Sequence, residues 1–510
     1  MTKILLAGRL DLGPLARHIR AFIETLSSNK ENEIYIDPFY VEHYRCEAFG
    51  TQALLDEYLS FENIKIAKED NEIYDFAIFT DLLTLSYHDG LYRHFLNHNC
   101  KIRICYEVFD GSLPPLDWID IINENFDICC TPSVYIASCL KKYGVKIPCF
   151  NLPCVVFNDD LLEKYPVKEK YWRFGFIGGA EQRKNALKVI EAFHEAFKGV
   201  NDVELYCHCS YSPEPEYVAQ CFMAVEKYGS EQKITFNFQK PLSKEKMYEL
   251  IQSFSFYVFP TKNTGYFTTP CEALSVGIPI IVSDIPVHQE LVQNLTEKDG
   301  AFLIKADEVD LMIHSYLGNK CLGAQYDMSV ASIIEQMKKA YSYRKSLFEK
   351  ELIEKRKEIA KQYSLHNLKA SFLTLIHPKK IVISSKSGIQ SDTLFLTSAQ
   401  TAEKFLNLYD DIKLRKECSE NEYKSFKFYI NNQHDTDLIE KISMKVEREI
   451  HIPLAGKLSD PTSKQGILNS KWMKKLLRRS EKSGVTRLPR FIYKAFSLYC
   501  KTKSIFKKGK

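Results

Sequence analysis

Residues 256–291 read FYVFPTKNTGYFTTPCEALSVGIPIIVSDIPVHQEL, and this stretch says more about the fold than any other part of the sequence. A short apolar strand ends at Pro260 and is followed by a glycine-containing loop. A helix is predicted to begin near Thr268–Pro270, because threonine is a common helix cap and proline is favoured in a first turn. Gly277 and Pro279 then end the helix and lead into a second apolar strand. The stretch therefore predicts a strand–helix–strand unit of a parallel sheet.

The predicted start of that helix offers a binding site for an anion. Its first backbone N–H groups have no partner within the helix, and the helix dipole is positive at this end. Glu272 lies in the first turn and could accept hydrogen bonds from neighbouring hydroxyl groups, such as those of a ribose. It could equally be present only to complement the helix dipole. These residues by themselves leave both interpretations open.

A second informative stretch, residues 174–185, reads FGFIGGAEQRKN. A strand runs into a glycine loop, and Arg183 and Lys184 follow directly before a predicted helix. An arginine fork beside a lysine point charge suits a pyrophosphate group. A solvated basic turn is the simpler interpretation when these residues are considered alone.

Short apolar runs alternate with amphipathic stretches along most of the chain, which is typical of βαβ units and parallel sheets. We predict a Rossmann-like domain over residues 1–156 and a second over residues 157–377. Phe157–Tyr171 is polar and contains Pro166, so it is interpreted as the linker between them. Two doubly wound domains joined in this way usually enclose a cleft at the carboxyl ends of their strands. Residues 378–465 are predicted to form a small accessory α/β module of unknown role.

The last part of the chain, residues 466–510, is predicted to be a basic amphipathic tail. Lys471–Lys510 contains fourteen Lys and Arg against one acidic residue, a net charge of +13, which leaves −9 for the other 470 residues. Apolar residues recur there at helical spacing in two segments: Trp472, Met473, Leu476 and Leu477, then Phe491, Ile492, Ala495, Phe496 and Tyr499. Such helices suit the headgroup region of an anionic membrane. Docking to a partner protein and binding to nucleic acid are the alternatives, and no recognisable nucleic-acid fold accompanies the tail.

The composition is that of a globular protein, with 45% hydrophobic and 26% charged residues. No apolar run approaches the roughly 18 residues that a membrane span needs, and the first residues lack the apolar core of a signal peptide. Fifteen cysteines, an odd number without an export signal, favour reduced thiols in a cytosolic protein. Cys207 and Cys209 lie in a strand-like run and are interpreted as core residues instead of zinc ligands.

Residues 256–291 resemble the donor-binding signature, written E-x7-E, of the retaining GT-B glycosyltransferases of family four. The first glutamate of the motif falls on Thr264, which is a departure from the family pattern. The positions that stand in family register are Glu272, Ala273, Gly277, Pro279, Ser283–Pro286 and Glu290–Val292. The resemblance covers about residues 1–375 and implies the GT-B fold, in which two Rossmann-like doubly wound domains face a cleft.

The resemblance also implies which residues contact a nucleotide-sugar. The donor-binding loop and helix start would comprise Thr264, Gly265, Tyr266, Phe267, Thr268 and Glu272. The family's phosphate-binding lysine falls on Lys184, whereas its arginine falls on Gly179, so Arg183 is the hypothetical substitute. Relatives of this fold typically need no bound metal, and we predict no metal site, no cofactor and a metal-independent reaction.

Two further positions are predicted to lie near the donor. The segment Lys233–Leu250 matches a family stretch that lies beside the nucleotide base, with Gln239 where glycine is usual. In the first domain, the loop Gly8–Pro14 joins the first strand to the first helix. A glycine loop at that place commonly approaches the donor phosphate, and Gly13 is the residue predicted to bring its backbone close.

Glu107 is the candidate for the acceptor side of the cleft. It lies at the carboxyl end of a predicted strand, in a run that resembles a family subgroup carrying an acid there. It could orient the acceptor hydroxyl or take its proton, or it could be a structural carboxylate that caps the next turn. His18 and His194 fit helical patterns and are interpreted as exposed helix residues, not catalysts.

Together these features predict a retaining glycosyltransferase that moves a sugar from a UDP- or GDP-sugar to a glycan or lipid-linked acceptor. The predicted pathway is synthesis of a cell-surface polysaccharide of the lipopolysaccharide, O-antigen or capsule type. Residues 471–510 would hold the enzyme at the inner, cytoplasmic face of the membrane, a glycan-assembly protein is a further expected partner, and no nucleic acid is expected. The alternative is a catalytically degenerate GT-B scaffold or binding subunit, which the departures at Thr264 and Gly179 favour.

Overall fold

The computed structural model describes residues 1–377 apart from short gaps, and it contains two parallel sheets covered by helices. The residues left out of the description are 12, 14, 44–49, 69–71, 84–88, 168, 230, 240–241 and 315–319. The accessory module predicted over residues 378–465 and the tail predicted over residues 466–510 lie outside the described residues.

The first sheet has seven parallel strands in the order β3-β2-β1-β4-β5-β6-β7. Its strands are β1 Thr2–Ala7, β2 Asn32–Ile36, β3 Ile64–Ile66, β4 Ile73–Phe79, β5 Asn99–Tyr106, β6 Ile128–Thr131 and β7 Cys149–Asn151. Its helices are α1 Arg17–Leu26, α2 Pro38–His43, α3 Thr51–Leu59, α4 Asp89–Asn97, α5 Leu116–Asn125 and α6 Val134–Tyr143. The strand order reverses between β1 and β4, and doubly wound sheets bind ligands beside such a reversal.

The second sheet has six parallel strands in the order β10-β9-β8-β11-β12-β13. Its strands are β8 Trp172–Ile177, β9 Val203–Cys209, β10 Ile234–Phe238, β11 Phe256–Phe259, β12 Ile280–Ser283 and β13 Ala301–Ile304. Its helices are α7 Ala186–Ala196, α8 Pro215–Tyr228, α9 Lys244–Gln252, α10 Thr268–Val276, α11 Pro286–Val292, α12 Val330–Ser342 and α13 Lys350–Lys361. An antiparallel hairpin of β14 Asp307–His314 and β15 Lys320–Asp327 follows the sheet.

The apolar runs of the sequence form the centre of both sheets, as the alternation predicts. Ile4–Ala7 of β1 and Ile280–Val282 of β12 have no solvent exposure, because helices cover both faces of a doubly wound sheet. The described cysteines are free thiols. Cys207 and Cys209 are fully buried in β9, which agrees with their interpretation as core residues. The prediction of two Rossmann-like domains is confirmed.

Some elements differ from their predictions for reasons of length and spacing. The strands β3 and β7 have three residues each, too few to give a readable hydrophobic pattern. The charged segment near the end of the second domain forms two helices, α12 and α13, which are separated by residues 343–349. In the described ranges, no helix is both long enough and apolar enough to cross a membrane.

One further helix, α14 (Leu365–Ile376), packs against the first domain although it follows the second. The rings of Phe372 in α14 and Phe22 in α1 meet edge to face, with centroids 4.8 Å apart. Beyond the helix, His377 Nε2 lies 2.5 Å from Asn32 Oδ1 at the start of β2. The chain therefore crosses from one domain to the other twice, once in the linker and once before α14.

Candidate functional site

The carboxyl ends of the two sheets face each other, and the loop after β5 joins them through Asp110. Its Oδ1 accepts a hydrogen bond from the backbone N–H of Gly265 at 2.6 Å. Its Oδ2 forms an ion pair with Nη1 of Arg183 at 2.9 Å. One carboxylate of the first domain therefore contacts both of the stretches that the sequence singled out in the second domain.

Gly265 is a glycine because the first domain leaves no room for a side chain. A Cβ atom at this position would lie 2.4 Å from Val108 Cγ2 and 2.7 Å from the carbonyl oxygen of Phe109. Both distances are shorter than van der Waals contact, and one of the two atoms belongs to the backbone. The close approach of the domains depends on this missing side chain.

The basic turn after β8 is held against the loop that follows β11. Asn185 has a left-handed backbone, with φ of 62°, and its Nδ2 donates to the carbonyl oxygen of Pro260 at 2.7 Å. The N–H of Lys262 donates to the carbonyl oxygen of Arg183 at 2.7 Å. These contacts bring the two informative stretches of the sequence together and fix the backbone that carries Arg183 and Lys184.

Lys184 is a half-buried cation at this turn. Its Nζ lies 4.9 Å from the centroid of the Phe259 ring, and no carboxylate in the described chain lies within ion-pair distance of it. Burial and the neighbouring Arg183 together lower the pKa of Lys184 to about 8, against the opposing charges of Asp110 and Glu181. The site therefore contains a positive charge that an anionic ligand would stabilise.

Glu272 lies in the middle of α10, so its predicted place in the first turn is wrong, because the helix already begins at Thr268. Its side chain contacts the first domain. Its Oε1 accepts a hydrogen bond from Nη2 of Arg17 at 2.9 Å, and its exposure is 6%. Arg17, at the start of α1, also donates to the carbonyl oxygen of Val156. The carboxylate predicted to bind a ribose is thus paired with a buried arginine from across the cleft.

The start of α10 is built differently from the prediction. The residue before the helix is Phe267, and no threonine side chain caps the first turn. Thr269 Oγ1 instead accepts a hydrogen bond from the hydroxyl of Tyr257 at 2.6 Å. The prediction of a threonine cap is wrong, because a buried tyrosine in β11 uses that hydroxyl group. Thr268, the first helical residue, is partly exposed.

The rest of the predicted donor loop is fixed by contacts within the protein. Thr264 donates its hydroxyl hydrogen to the carbonyl oxygen of Tyr266 at 2.7 Å. Tyr266 in turn donates to the carbonyl oxygen of Cys154, at 3.1 Å, just before the linker. Phe267 is fully buried, with its ring centroid 5.0 Å from that of Tyr363. The side chains of Tyr266 and Phe267 hold this loop in place, so backbone groups of the loop are the ones available to a ligand.

Gln239 and Gly13 are located at the rim of the cleft. Gln239 follows β10, the edge strand, and its side chain is exposed while its N–H donates to Cys209 at 3.0 Å. Gly13 lies in the loop after β1, where its N–H donates to Oδ1 of Asp11 at 2.6 Å. Asp11 Oδ2 also accepts from the hydroxyl of Tyr40 at 2.8 Å, so the carboxylate holds this loop in place.

Glu107 follows β5 with its side chain buried at 1% exposure. Burial raises its pKa well above the usual value for a glutamate, and the nearby Asp81 raises it further. Its Oε1 has no hydrogen-bond partner. Asp81 is held by Arg9, which donates to both of its carboxylate oxygens at 3.0 and 2.8 Å. Glu107 is therefore a buried carboxyl group whose neutral form is favoured by its surroundings, at the predicted acceptor side.

The two histidines that were interpreted as exposed are buried, so that interpretation is wrong. His18 has 6% exposure and lies against Tyr106, and burial lowers its pKa to about 4. His194 has 5% exposure and stacks on Tyr228 with ring centroids 4.2 Å apart. Both lie on the core-facing side of an amphipathic helix, which the spacing of their apolar neighbours could have indicated.

Three residues make interdomain contacts that the sequence analysis did not predict: Arg17, Asp110 and Glu290. Glu290 of α11 reaches the start of α6 in the first domain. It accepts hydrogen bonds from Ser133 Oγ at 2.9 Å and from the N–H groups of Val134 and Tyr135 at 3.0 and 3.4 Å. The interdomain contacts of these three residues join positions that are 73 or more residues apart, and no local sequence pattern reports such a pair.

Comparisons with known proteins agree with this geometry. Residues 172–316 match the family model described as glycosyl transferases group 1. This segment contains the basic turn, the loop after β11 and the helix α10. No curated protein sequence matches the chain.

Several solved structures share the arrangement of the two domains at low sequence identity. HepE from Anabaena, crystallised with UDP and glucose, has 10% identity and a TM-score of 0.53 over 74% of this chain and 99% of its own. The sucrose-phosphate synthase of Thermosynechococcus elongatus has 13% identity and a TM-score of 0.54 over 74% of this chain and 98% of its own. A glycosyltransferase of Rickettsia africae has 13% identity and a TM-score of 0.50, covering 81% and 98%. The fold is GT-B, and the family match supports a glycosyltransferase.

Proposed function

We propose that the protein transfers a sugar from a nucleotide-sugar to a glycan or lipid-linked acceptor, with retention of anomeric configuration. The observation that carries the proposal is Lys184, whose ammonium group lies beside Arg183 and meets no described carboxylate within ion-pair distance. An incoming diphosphate would supply the missing negative charge. The UDP present in the HepE structure supports the same class of ligand.

The chemistry that this part of the cleft would perform is stabilisation of the departing diphosphate. As the glycosidic bond to the diphosphate breaks, negative charge grows on the phosphate oxygens, and preorganised cations and N–H groups lower the cost of that charge. Lys184 and Arg183 would supply the positive charge, and the first N–H groups of α10 would add theirs. We propose a reaction that needs no metal ion, because the two cations provide the charge that a divalent ion would bring.

The ribose of the nucleotide would bind to Glu272. In the free protein this carboxylate pairs with Arg17, so the donor has to replace that contact. Its hydroxyl groups would donate to the carboxylate oxygens in place of the guanidinium group. Donor binding would therefore loosen a contact between the domains while it forms its own.

Glu107 would act on the acceptor from the opposite sheet. In its ionised form, Glu107 would take the proton of the acceptor hydroxyl as the new glycosidic bond forms, and a raised pKa makes the carboxylate a stronger base for that step. The buried oxygen without a partner supports this role, because a buried polar atom gains most from a new hydrogen bond.

The donor site is tested by thermal shift with UDP-, GDP- and other nucleotide-sugars. We expect one nucleotide class to raise the unfolding temperature of the wild type, and the shift to disappear in Lys184→Ala and Glu272→Ala. Lys198→Ala and Glu195→Ala are matched controls, since these two residues form an exposed ion pair on the outside of α7 and beside it. Equal shifts in all variants would contradict the proposed site. The anomeric configuration of the product, read by NMR, then tests retention.

We propose further that the acceptor belongs to a cell-surface polysaccharide pathway and is held at the inner face of a membrane. The basis is the net charge of +13 and the two amphipathic segments within Lys471–Lys510. Deletion of this segment should abolish sedimentation with vesicles containing anionic lipid while leaving the donor-induced thermal shift intact. Sedimentation that the deletion leaves unchanged would contradict membrane attachment through the tail.

A second candidate is a binding or scaffolding subunit without turnover. Thr264 stands where the family motif has a glutamate, and Glu272 already has a partner in Arg17. This candidate predicts no stabilisation by any nucleotide-sugar, or stabilisation without release of free nucleoside diphosphate when acceptors are supplied. A coupled assay for released diphosphate distinguishes it from the enzyme.

A further inference from the structure

Away from the cleft, three potential metal ligands converge in the first domain. Asp37 follows β2 directly, His94 lies in α4, and His98 follows the end of that helix. One donor atom from each residue lies within 4.8 Å of the other two. His94 Nδ1 is 3.0 Å from Asp37 Oδ1, and His98 Nε2 is 3.0 Å from Asp37 Oδ2. Within the described residues, no other group of three His, Cys, Asp or Glu side chains converges in this way.

The sequence spacing explains why the two rings meet. Residues four positions apart lie on the same side of a helix, one turn from each other, and His94 and His98 have this spacing at the end of α4. The neighbouring element α2 begins at Pro38, directly after Asp37. The turn after β2 therefore supplies the third ligand. The cluster links the segment after β2 to the end of α4.

The surroundings of the cluster are those of a built site. The side chain of Asp37 has no solvent exposure, and those of His98 and His94 have 8% and 15%. The N–H of Phe39 donates to Asp37 Oδ1 at 2.9 Å and orients the carboxylate from behind. Rings of Phe39 and Tyr74 lie 5.2 and 5.9 Å from the two imidazoles and restrict their rotation. Such supporting contacts commonly accompany metal ligands.

We propose that Asp37, His94 and His98 bind one divalent cation of the zinc type. Two imidazole nitrogens and a carboxylate oxygen are donors that Zn²⁺ and Co²⁺ prefer, whereas Ca²⁺ and Mg²⁺ favour sets made of oxygen alone. Neighbouring ligands of a tetrahedral ion with bonds of about 2.0–2.2 Å lie about 3.3–3.6 Å apart. The two carboxylate–imidazole distances of 3.0 Å are slightly shorter, and all three donor atoms lie within 4.8 Å of one another, so small side-chain movements would admit the ion. The cation would stabilise the first domain and take no part in the donor chemistry proposed above.

The competing explanation is a hydrogen-bonded group without a metal. Both imidazoles could donate an N–H to Asp37 at the distances observed, and the carboxylate would then accept three hydrogen bonds. The two explanations predict different results when each imidazole is replaced by a side-chain amide. An asparagine at 94 or a glutamine at 98 can donate the same hydrogen bond as the imidazole, but an amide is a poor ligand for zinc.

The experiment uses the full chain, freed of metal by a chelator and then titrated with Co²⁺ as a spectroscopic probe. We expect one equivalent to bind with the visible spectrum of cobalt held by nitrogen and oxygen donors, and Zn²⁺ to displace it. Both ions should raise the unfolding temperature of the wild type. His94→Asn and His98→Gln should remain folded and lose the cobalt spectrum and the shift, whereas the surface control His366→Asn keeps both.

Two outcomes would overturn the proposal. Cobalt spectra that are the same in wild type, His94→Asn and His98→Gln would place the ion elsewhere, and a thiolate-to-cobalt charge-transfer band would assign it to the cysteines. No binding by the wild type, with both amide variants as stable as the wild type, would establish the hydrogen-bonded group instead. If an amide variant does not fold, the wild-type titration and its charge-transfer region still decide between these outcomes.

Discussion

A lysine whose pKa is near 8 gives the donor site a measurable pH dependence. Because the folded pKa of Lys184 lies below its ordinary value, the ligand-free protein gains stability as pH rises through 8. A diphosphate binds the protonated form, so donor affinity should be constant below pH 8 and fall about tenfold per pH unit above it. Binding measured by calorimetry between pH 6 and 10 tests this expectation.

The matched variants separate the charge of this residue from its shape. Lys184→Arg keeps its charge over the whole range, so its affinity should not decline above pH 8. Lys184→Met should bind the donor weakly at all pH values. Its donor affinity should equal that of the wild type only at the alkaline end of the range, where the wild-type lysine is neutral. A decline of the same size in Lys184→Arg would assign the titration to another group.

Glu107 allows a test of catalysis with little disturbance of structure. Glutamine has the shape of the protonated carboxyl group that burial favours at this position, so Glu107→Gln should fold normally. If the residue takes the acceptor's proton, kcat should fall by about 10²–10⁴-fold with little change in KM for the donor. Glu24→Gln is a suitable control, since Glu24 is also an acid whose pKa is raised by burial, and it bonds to Tyr58 away from the cleft. Normal turnover of Glu107→Gln would indicate a structural carboxylate.

Individual residues show how far sequence reasoning extends in this chain. The adjacent cations Arg183 and Lys184, and the glutamate of α10, were identified because strand, loop and helix start are local patterns. The partners Asp110 and Arg17 were not, because an ion pair across a cleft depends on how two domains dock. Burial of His18 was also missed, although its position on the apolar side of α1 was available from the spacing.

At the scale of elements, the loop after β11 depends on Gly265. Gly265→Ala would bring a methyl group within 2.4–2.7 Å of Val108 and Phe109, and overpacking of this kind costs about 1–3 kcal/mol. We expect a lower unfolding temperature, weaker donor binding and a larger radius of gyration in solution scattering.

Gly179→Ala is the control for this substitution. Its added Cβ would meet only the carboxylate end of Glu181, which can move away. If the two alanine variants have the same stability and radius of gyration, the contact of Gly265 with the first domain does not limit domain approach.

No sequence pattern predicts the hairpin of β14 and β15. The hairpin contacts both the loop after β5 and the loop after β11. The N–H groups of Ser112 and Leu113 donate to the carbonyl oxygen of Leu322 at 2.9 and 3.0 Å. Asn263 donates to the carbonyl oxygen of Ala324 at 3.2 Å. The hairpin is held by contacts with segments that are distant in sequence, including the hydrogen bond from the N–H of Ala324 to Ser112 Oγ at 3.0 Å. A local sequence pattern does not report such contacts, which is why the place of the hairpin could not be predicted.

At the scale of the molecule, the ion pair of Arg17 and Glu272 joins the two domains, and the proposed binding of the ribose to Glu272 would compete with it. Arg17→Met should lower the unfolding temperature of the ligand-free protein and free Glu272 for the ribose. We expect the donor Kd to fall by about tenfold, equivalent to removing ~1.4 kcal/mol of competing energy. Calorimetric titration with the nucleotide-sugar identified by thermal shift measures this change.

Arg20→Met is the matched control for that measurement. Arg20 lies three residues further along α1. Burial lowers its pKa, and the neighbouring groups whose charges act on it include Arg17, Tyr58 and Glu24. Its removal should lower stability without tightening donor binding. Loss of donor binding in Arg17→Met would instead mean that Arg17 itself is a donor ligand.

The return of α14 to the first domain has a consequence for synthesis of the chain. The ring of Phe22, near the start, is packed by Phe372, which the ribosome adds some 350 residues later. Domains usually acquire structure one after another as they emerge, the earliest first. Here the first domain cannot complete its surface until α14 (Leu365–Ile376) has been translated. A nascent chain arrested before α14 would present an open apolar patch, and that patch is where a chaperone would be expected to bind.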